Sequence, residues 1–163
     1  MIKEYCSVVQ SPLGEISIFA DELSVVKISF MTAADPSLGE NELSSKTAAE
    51  LTNYFDGSVQ HFSVPFKQPG TDFQQRVWQA LTTIPYGTTT SYASFSEQLG
   101  NLKAIRAVAA ANGRNDLAIV IPCHRVIGSN GKLVGYAGEL WRKNWLLNHE
   151  REISQQGQML LNF

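Results

Sequence analysis

The chain of 163 residues is long enough for one large domain or two small ones, and 44% hydrophobic with 17% charged residues describes a folded protein, not a disordered or low-complexity one. No apolar run approaches the roughly 18 to 20 residues of a membrane-spanning helix, and two distant cysteines, Cys6 and Cys123, make no disulfide framework. A cytoplasmic, reducing setting without a membrane partner is expected, and the net charge of −2 divides unevenly: residues 1–70 carry four basic and nine acidic side chains (−5), residues 71–163 nine and six (+3), so only the second half suits a polyanion.

The first thirty residues read as a small antiparallel meander. Ile16, Ile18 and Ala20 alternate with Glu15, Ser17 and Phe19, and Val26, Ile28 and Phe30 alternate with Lys27 and Ser29, while Ser11-Pro12-Leu13-Gly14 and Asp21-Glu22 supply turns. Over residues 41–56 the period becomes helical, with Leu43, Thr47, Leu51, Tyr54 and Phe55 recurring until Gly57. Residues 58–70, holding Pro65, Pro69 and Gly70, suit a last strand and then a linker, which sets a domain boundary at residue 70. Beyond it, Thr71 or Asp72 caps a helix carrying Phe73, Val77, Ala80, Leu81 and Ile84 on one face and ended by Pro85-Tyr86-Gly87. A second helix opens at Thr90 or Ser91 and runs to Leu99, and a third spans residues 103–112. Two short helices joined through Gly100 outline a helix-turn-helix, although hairpins with no DNA role share that outline.

The third helix has two different faces. Ile105, Val108, Ala109 and Asn112 fall on one stripe, and Lys103, Arg106, Ala110 and Gly113 on another. The second stripe is bare of bulk except for its cations and can approach a groove closely, with Arg106 as its long projection. An Ala-rich packing helix with a solvated Arg would read the same way.

The segment with chemical content follows. Asn115 precedes an apolar stretch over residues 118–121, predicted as a buried strand, and then Pro122-Cys123-His124-Arg125-Val126. A thiol of ordinary pKa about 8.5 needs an adjacent base or cation to react as thiolate, and His124 and Arg125 are immediate neighbours. A nucleophile at a strand end is one reading. A small core hydrophobe that happens to precede a histidine is the other.

The run from Asn115 to Val126, with Arg106-Ala107-Val108 before it and Gly135-Tyr136-Ala137-Gly138 and Trp145-Leu146-Leu147-Asn148-His149-Glu150 after it, resembles the O6-alkylguanine-DNA alkyltransferase family, the methylated-DNA--protein-cysteine methyltransferases. The resemblance covers residues 71–150 strongly and residues 1–70 only in general organisation. It implies an α+β protein: a small amino-terminal antiparallel sheet with a covering helix (residues 1–70, ribonuclease H-like), then a mainly helical DNA-binding and acceptor domain (residues 71–163). Cys123 matches the thiol that takes the alkyl group once and irreversibly, His124 the residue that deprotonates it through a water, and Glu150 the carboxylate that orients the histidine. Asn115 matches the residue that ties the turn, and Tyr136 the phenol facing the guanine ring nitrogen. Ala137, Gly138 and Glu139 match the rim of the base pocket. Arg106 matches the finger that replaces the extruded base and Tyr92 the aromatic that crowds the adjoining phosphate; Lys103, Arg114 and Arg125 complete the expected DNA-binding set. The implied partner is alkylated double-stranded DNA held at its minor groove, bound by a chain that is a monomer when free, with the number of copies on DNA left open. No cofactor and no metal are expected.

Three positions depart from the family pattern: Ala109 and Glu139 where Gly is usual, and Asp116 where Pro is. Glu139 could narrow the pocket or simply cap the helix after it. The competing readings are an alkyltransferase-like module that captures damage without reacting, a thiol hydrolase that turns over, and a transcription factor whose thiol is idle. Residues 154–163 read as a partly ordered tail.

Overall fold

The computed structural model describes residues 2–131, 133–136 and 138–161, with side chains as far as residue 155. The chain divides into two compact units: Met1–Pro69 with Asp116–Val120, and Gly70–Asn115 with Ile121–Phe163.

In the first unit, strands β1 (Tyr5–Ser11), β2 (Gly14–Ala20) and β3 (Val25–Ser29) form an antiparallel meander in that order. β2 is central, and Ile16 through Ala20 are all buried, so Ser17 and Phe19 go inside along with the predicted Ile16, Ile18 and Ala20. A register shift between Phe19 and Ala20 turns Val25 rather than Val26 into the core beside Ile28. Helix α1 (Glu42–Phe55) starts where Asn41 accepts the Ser44 amide at 2.8 Å and Ser44 Oγ accepts the Asn41 amide at 3.1 Å, a reciprocal capping box. Its buried stripe is Ser44, Thr47, Leu51 and Tyr54, laid against β1 and β2, with Ser7 Oγ donating to Ser44 Oγ at 2.8 Å.

The strand expected within residues 58–70 reduces to one parallel bridge, Phe66 on Val25, where Val25 N donates to Pro65 O and Lys67 N donates to Val25 O. Pro65 has no amide hydrogen with which to extend the ladder. The strand expected over residues 118–121 is likewise absent. Leu117 alone bridges Ile28, held by Ile28 N to Asp116 O (2.8 Å) and Ala118 N to Ile28 O (3.2 Å). The chain then reverses through Ile119 at φ 71°, with Val120 N bonded to Ala118 O at 2.8 Å. This three-residue turn is strained for a β-branched residue and leaves no extended backbone to pair.

In the second unit, helix α2 (Asp72–Leu81) is capped by a Thr71–Gln74 box and buries Val77, Trp78 and Leu81. Trp78 Nε1 donates to Ala111 O at 2.8 Å, fastening it to helix α4 (Ile105–Gly113). Helix α3 (Tyr92–Gln98) is capped by Ser91 and follows strand β4 (Thr90–Ser91), and a 3-10 turn at Leu102–Ala104 leads into α4, so the third predicted helix begins as a tighter coil. Strand β5 (Val126–Ile127) pairs in parallel with β4, Val126 opposite Thr90. Helix α5 (Leu140–Leu161) continues through most of the segment expected to be a partly ordered tail; Asn162 and Phe163 lie outside the described residues. Among the described residues no helix is long and apolar enough to cross a membrane.

Candidate active site

The site is built within the second unit. Pro122, at φ −81° and ψ 62°, bends the chain so that Cys123 N bonds back to Ile121 O at 2.8 Å, and Cys123–Arg125 then form a single 3-10 turn. Cys123 therefore opens a turn, not the end of a strand. β5 follows at once, and its pairing with β4 pins the turn beside the start of α3, the position of Tyr92. Asn115 Nδ2 donates to Ile121 O at 3.0 Å.

His124 is fully buried. Its Nε2 meets Glu150 Oε2 at 2.7 Å, while Nδ1, on the other edge of the ring, is buried and meets no hydrogen-bonding atom among the described residues. Glu150, near the middle of α5, also accepts from Arg125 Nε at 2.8 Å and from Arg125 Nη2 at 3.1 Å. Arg125 Nη1 donates to Ile84 O at 2.7 Å, and the guanidinium lies 5.5 Å from the Tyr86 ring centroid. Burial alone would raise the Glu150 pKa, but His124 and Arg125 reverse that and hold it well below the ordinary carboxylate range. In the tautomer that donates to Glu150 through Nε2, Nδ1 carries no proton and is an acceptor.

Cys123 is itself buried, and desolvation raises its thiol pKa; a hydrogen bond from Asn115 and the charge of Lys143 act the other way. Burial also lifts Tyr136 well above its usual pKa, with Cys123 adding to the rise and Arg142 opposing it, so the phenol keeps its proton at neutral pH. Gly138 is buried, its carbonyl accepting from Arg142 Nη1 at 2.9 Å. Glu139 is exposed at φ 74°, a conformation that glycine enters more readily. Its carbonyl accepts the Arg142 and Lys143 amides at the start of α5, and its carboxylate accepts from Trp141 Nε1 at 3.0 Å. Glu139 thus stands directly before α5, with its carboxylate on the Trp141 indole. Ala137 lies outside the described residues.

The set expected to face DNA separates. Lys103, Arg106, Ala110 and Gly113 are exposed, as is Arg114, whereas Val108 and Asn112 of the opposite stripe are buried. Arg125 does not belong with them: both ends of its guanidinium are taken by Glu150 and Ile84, and it is 7% exposed. Tyr92 is also buried, at 8% exposure. Its hydroxyl turns inward to accept from Asn112 Nδ2 at 3.0 Å, and burial, then the Cys123 charge, raises its pKa. That places it with the thiol instead of on the exposed stripe.

Two residues of the site were missed. Asn112 reaches both Tyr92 and, at 3.3 Å, the Cys123 carbonyl; its signal was a polar residue on the apolar stripe of α4. Lys143 is completely buried, and its signal was its phase, since residues 143, 146 and 150 share one face of α5 with Leu146 and Glu150 buried.

A buried cysteine and histidine on one turn, an ionised glutamate behind the histidine, and an exposed cationic stripe on the neighbouring helix form the arrangement expected of a thiol acceptor that acts on a polyanion. Residues 72–152 match the 6-O-methylguanine DNA methyltransferase, DNA binding domain, and residues 4–68 the 6-O-methylguanine DNA methyltransferase, ribonuclease-like domain. A methylated-DNA--protein-cysteine methyltransferase of Methanosarcina acetivorans is 41% identical over 152 residues, covering 90% of this chain and 97% of that one. The constitutive enzyme of that name from Bacillus subtilis is 42% identical over 157 residues, covering 90% and 95%. Among solved structures, Mycobacterium tuberculosis OGT in complex with DNA superposes with a TM-score of 0.83 at 39% identity, covering 91% of this chain and 94% of that one. The chain belongs to the O6-alkylguanine-DNA alkyltransferase family, the methylated-DNA--protein-cysteine methyltransferases.

Proposed function

We propose that Cys123 is the acceptor of this single-turnover DNA methyltransferase and that His124 and Glu150 activate it. The observation that carries the assignment is the His124 ring, bound to Glu150 through Nε2 at 2.7 Å with Nδ1 unbonded beside the thiol's own turn, where a ring that donates through Nε2 offers an acceptor. A water between Nδ1 and Cys123 Sγ takes the thiol proton. The thiolate attacks the alkyl carbon in line, an S–C bond forms, and the C–O6 bond breaks with its electron pair returning to the guanine ring. The phenol of Tyr136 donates a hydrogen bond to the ring nitrogen, and the proton lost by sulfur ends on the released guanine. Thiol and O6-alkylguanine thus become thioether and guanine with every atom accounted for. A thioether offers no leaving group, so the chain reacts once.

The target atom lies inside a duplex and must be extruded, at a cost of a few kcal/mol in stacking and pairing. In this reading Arg106 fills the vacated place while the bare face of Lys103, Ala110 and Gly113 lies in the minor groove, with Arg114 on a nearby phosphate. Contacts of this kind are independent of sequence and weaken as salt rises. The free protein acts as a monomer in the cytoplasm, without cofactor or metal, and residues 1–70 and 71–163 serve as the ribonuclease H-like and acceptor domains.

Incubation with an oligonucleotide containing O6-methylguanine, followed by intact-mass measurement, is expected to show one methyl group per chain, mapped to Cys123, and none in Cys123→Ser. Release of methanol with repeated turnover would instead identify a hydrolase. Binding of the lesion without any mass gain would identify a damage-capturing module.

A further inference from the structure

Asn112 lies near the end of α4 and is 3% exposed, while Lys103, Arg106, Ala110 and Gly113 of the other stripe face outward. Its side-chain nitrogen donates to the Tyr92 hydroxyl oxygen at 3.0 Å and to the Cys123 carbonyl at 3.3 Å. A carbonyl can only accept, so the contact with Cys123 O fixes which end of the amide is nitrogen and makes Tyr92 the acceptor in the other bond. Oδ1 is then left buried, and it meets no hydrogen-bonding atom among the described residues. Leucine has the same branched outline and would strand no acceptor, so stability is a poor reason for asparagine at this place. The two bonds that come with the stranded oxygen are the better reason.

We infer that Asn112 is a positioning residue for alkyl transfer: one amide group clasps Tyr92, the first residue of α3, to the backbone of Cys123 and so fixes where the acceptor stands. This deepens the proposed function and rests on it. The Cys123 carbonyl already accepts the Val126 amide that closes the 3-10 turn, and Asn112 takes its second lone pair. The turn is thereby held at both ends, by Asn112 at its first residue and by the pairing of β5 with β4 directly after its last. The clasp has a firm base, because Ala111, the residue before Asn112, accepts from Trp78 Nε1 at 2.8 Å and ties α4 to α2. Asn112 brings no charge to the thiol. It sets the place of the sulfur and leaves its ionisation to other groups.

The test uses the full chain and three measurements: the urea midpoint, the pH profile of Cys123 alkylation by iodoacetamide, and the rate of methyl transfer from O6-methylguanine in an oligonucleotide and as the free base. Asn112→Leu is expected to keep the urea midpoint and the iodoacetamide profile of the wild type, yet to slow methyl transfer about tenfold with both substrates, the factor that one or two hydrogen bonds supply. Slowing confined to the duplex would place Asn112 in base extrusion and overturn the inference, as would a folded variant with the wild-type rate. Asn112→Asp keeps the size of the side chain and can still meet Tyr92 by accepting from its hydroxyl, but its carboxylate cannot donate to Cys123 O; it should be slowed at least as much, and it decides the matter if the Leu variant does not fold. Tyr92→Phe removes the hydroxyl that Asn112 holds, so Asn112→Leu and Tyr92→Phe together should slow transfer by less than the product of their separate factors. A full product would overturn the clasp. Wild-type protein that reacts with iodoacetamide at Cys123 but takes up no methyl group would overturn the functional reading, and the role of Asn112 with it.

Discussion

The two units bury different kinds of polar group. Among the described residues, the sheet unit buries only uncharged ones: Ser7, Ser17, Ser44, Thr47 and Gln68. Several of these bond locally, such as Thr47 Oγ1 to Leu43 O at 2.8 Å. The helical unit buries His124, Arg125, Lys143 and Glu150. A buried ion pair is often no more stabilising than a well-packed apolar one, so four such residues in one small region are poorly explained by stability and well explained by chemistry. The contrast implies that perturbing the charged core should harm activity and stability together, whereas perturbing the sheet unit should harm stability alone.

The severest break is Glu150→Gln. It leaves the Arg125 guanidinium buried without its counter-charge and is expected to destabilise the chain by about 3–5 kcal/mol in urea unfolding, with methyl transfer abolished. A pH signature accompanies it. Because Glu150 is held well below its ordinary pKa, its stabilisation is complete above the unfolded carboxylate pKa of about 4.3 and is lost progressively as pH falls below that value. Glu150→Gln should flatten this part of the acid unfolding curve. An unchanged acid slope in the variant would mean that the pair contributes nothing to stability.

Arg106→Ala probes the exposed side of the same unit. It should slow transfer from duplex DNA about tenfold to a hundredfold, since extrusion is a matter of a few kcal/mol, and leave reaction with the free base and the urea midpoint unaffected. Equal slowing with both substrates would remove Arg106 from base extrusion. Gly87→Ala tests how closely the Pro85-Tyr86-Gly87 turn meets α5. Gly87 has φ 79°, its amide lies 3.5 Å from Glu150 Oε1, and an added Cβ would come 2.9 Å from Ser154 Cβ and 3.3 Å from Glu150 O. We expect a loss of about 1–3 kcal/mol from the backbone strain and crowding, with slower methyl transfer as Glu150 shifts.

What the sequence disclosed follows the range of the interactions concerned. Thr71 and Ser91 announce their helices because a cap is a contact with a residue three positions on. The Cys123-His124 pair was legible because the two are adjacent in the chain, although the strand expected before them is absent. Arg125 was not: beside a thiol in a basic half it looks like a phosphate contact, and only Glu150, 25 residues later, turns it inward. The apolar run over residues 118–121 has the composition of a strand, but its backbone is decided by the bridge from Leu117 to Ile28, almost ninety residues earlier in the chain, and by the reversal at Ile119. Lys143 was hidden by its charge, since lysines are rarely buried, even though its helical phase pointed inward.

The mildest test falls on the sheet unit. Asn41 closes the capping box of α1 and its Nδ2 donates to Asp21 O at 3.1 Å, so Asn41→Ala removes the acceptor for the Ser44 amide and one link to the turn after β2. A lost cap costs about 1 kcal/mol, which should appear as a lower urea midpoint with an unchanged slope. No charge is exposed or stranded by the change, and the thiol, imidazole and carboxylate of the proposed relay all lie in the other unit. The rate of methyl transfer should therefore stay at the wild-type value under conditions where the chain is folded. A fall in that rate matching Gly87→Ala would mean that the sheet unit helps to set the geometry of the acceptor turn, through the segment Asp116–Val120 that it holds against β3, and that the division between a stabilising core and a chemical one is not real.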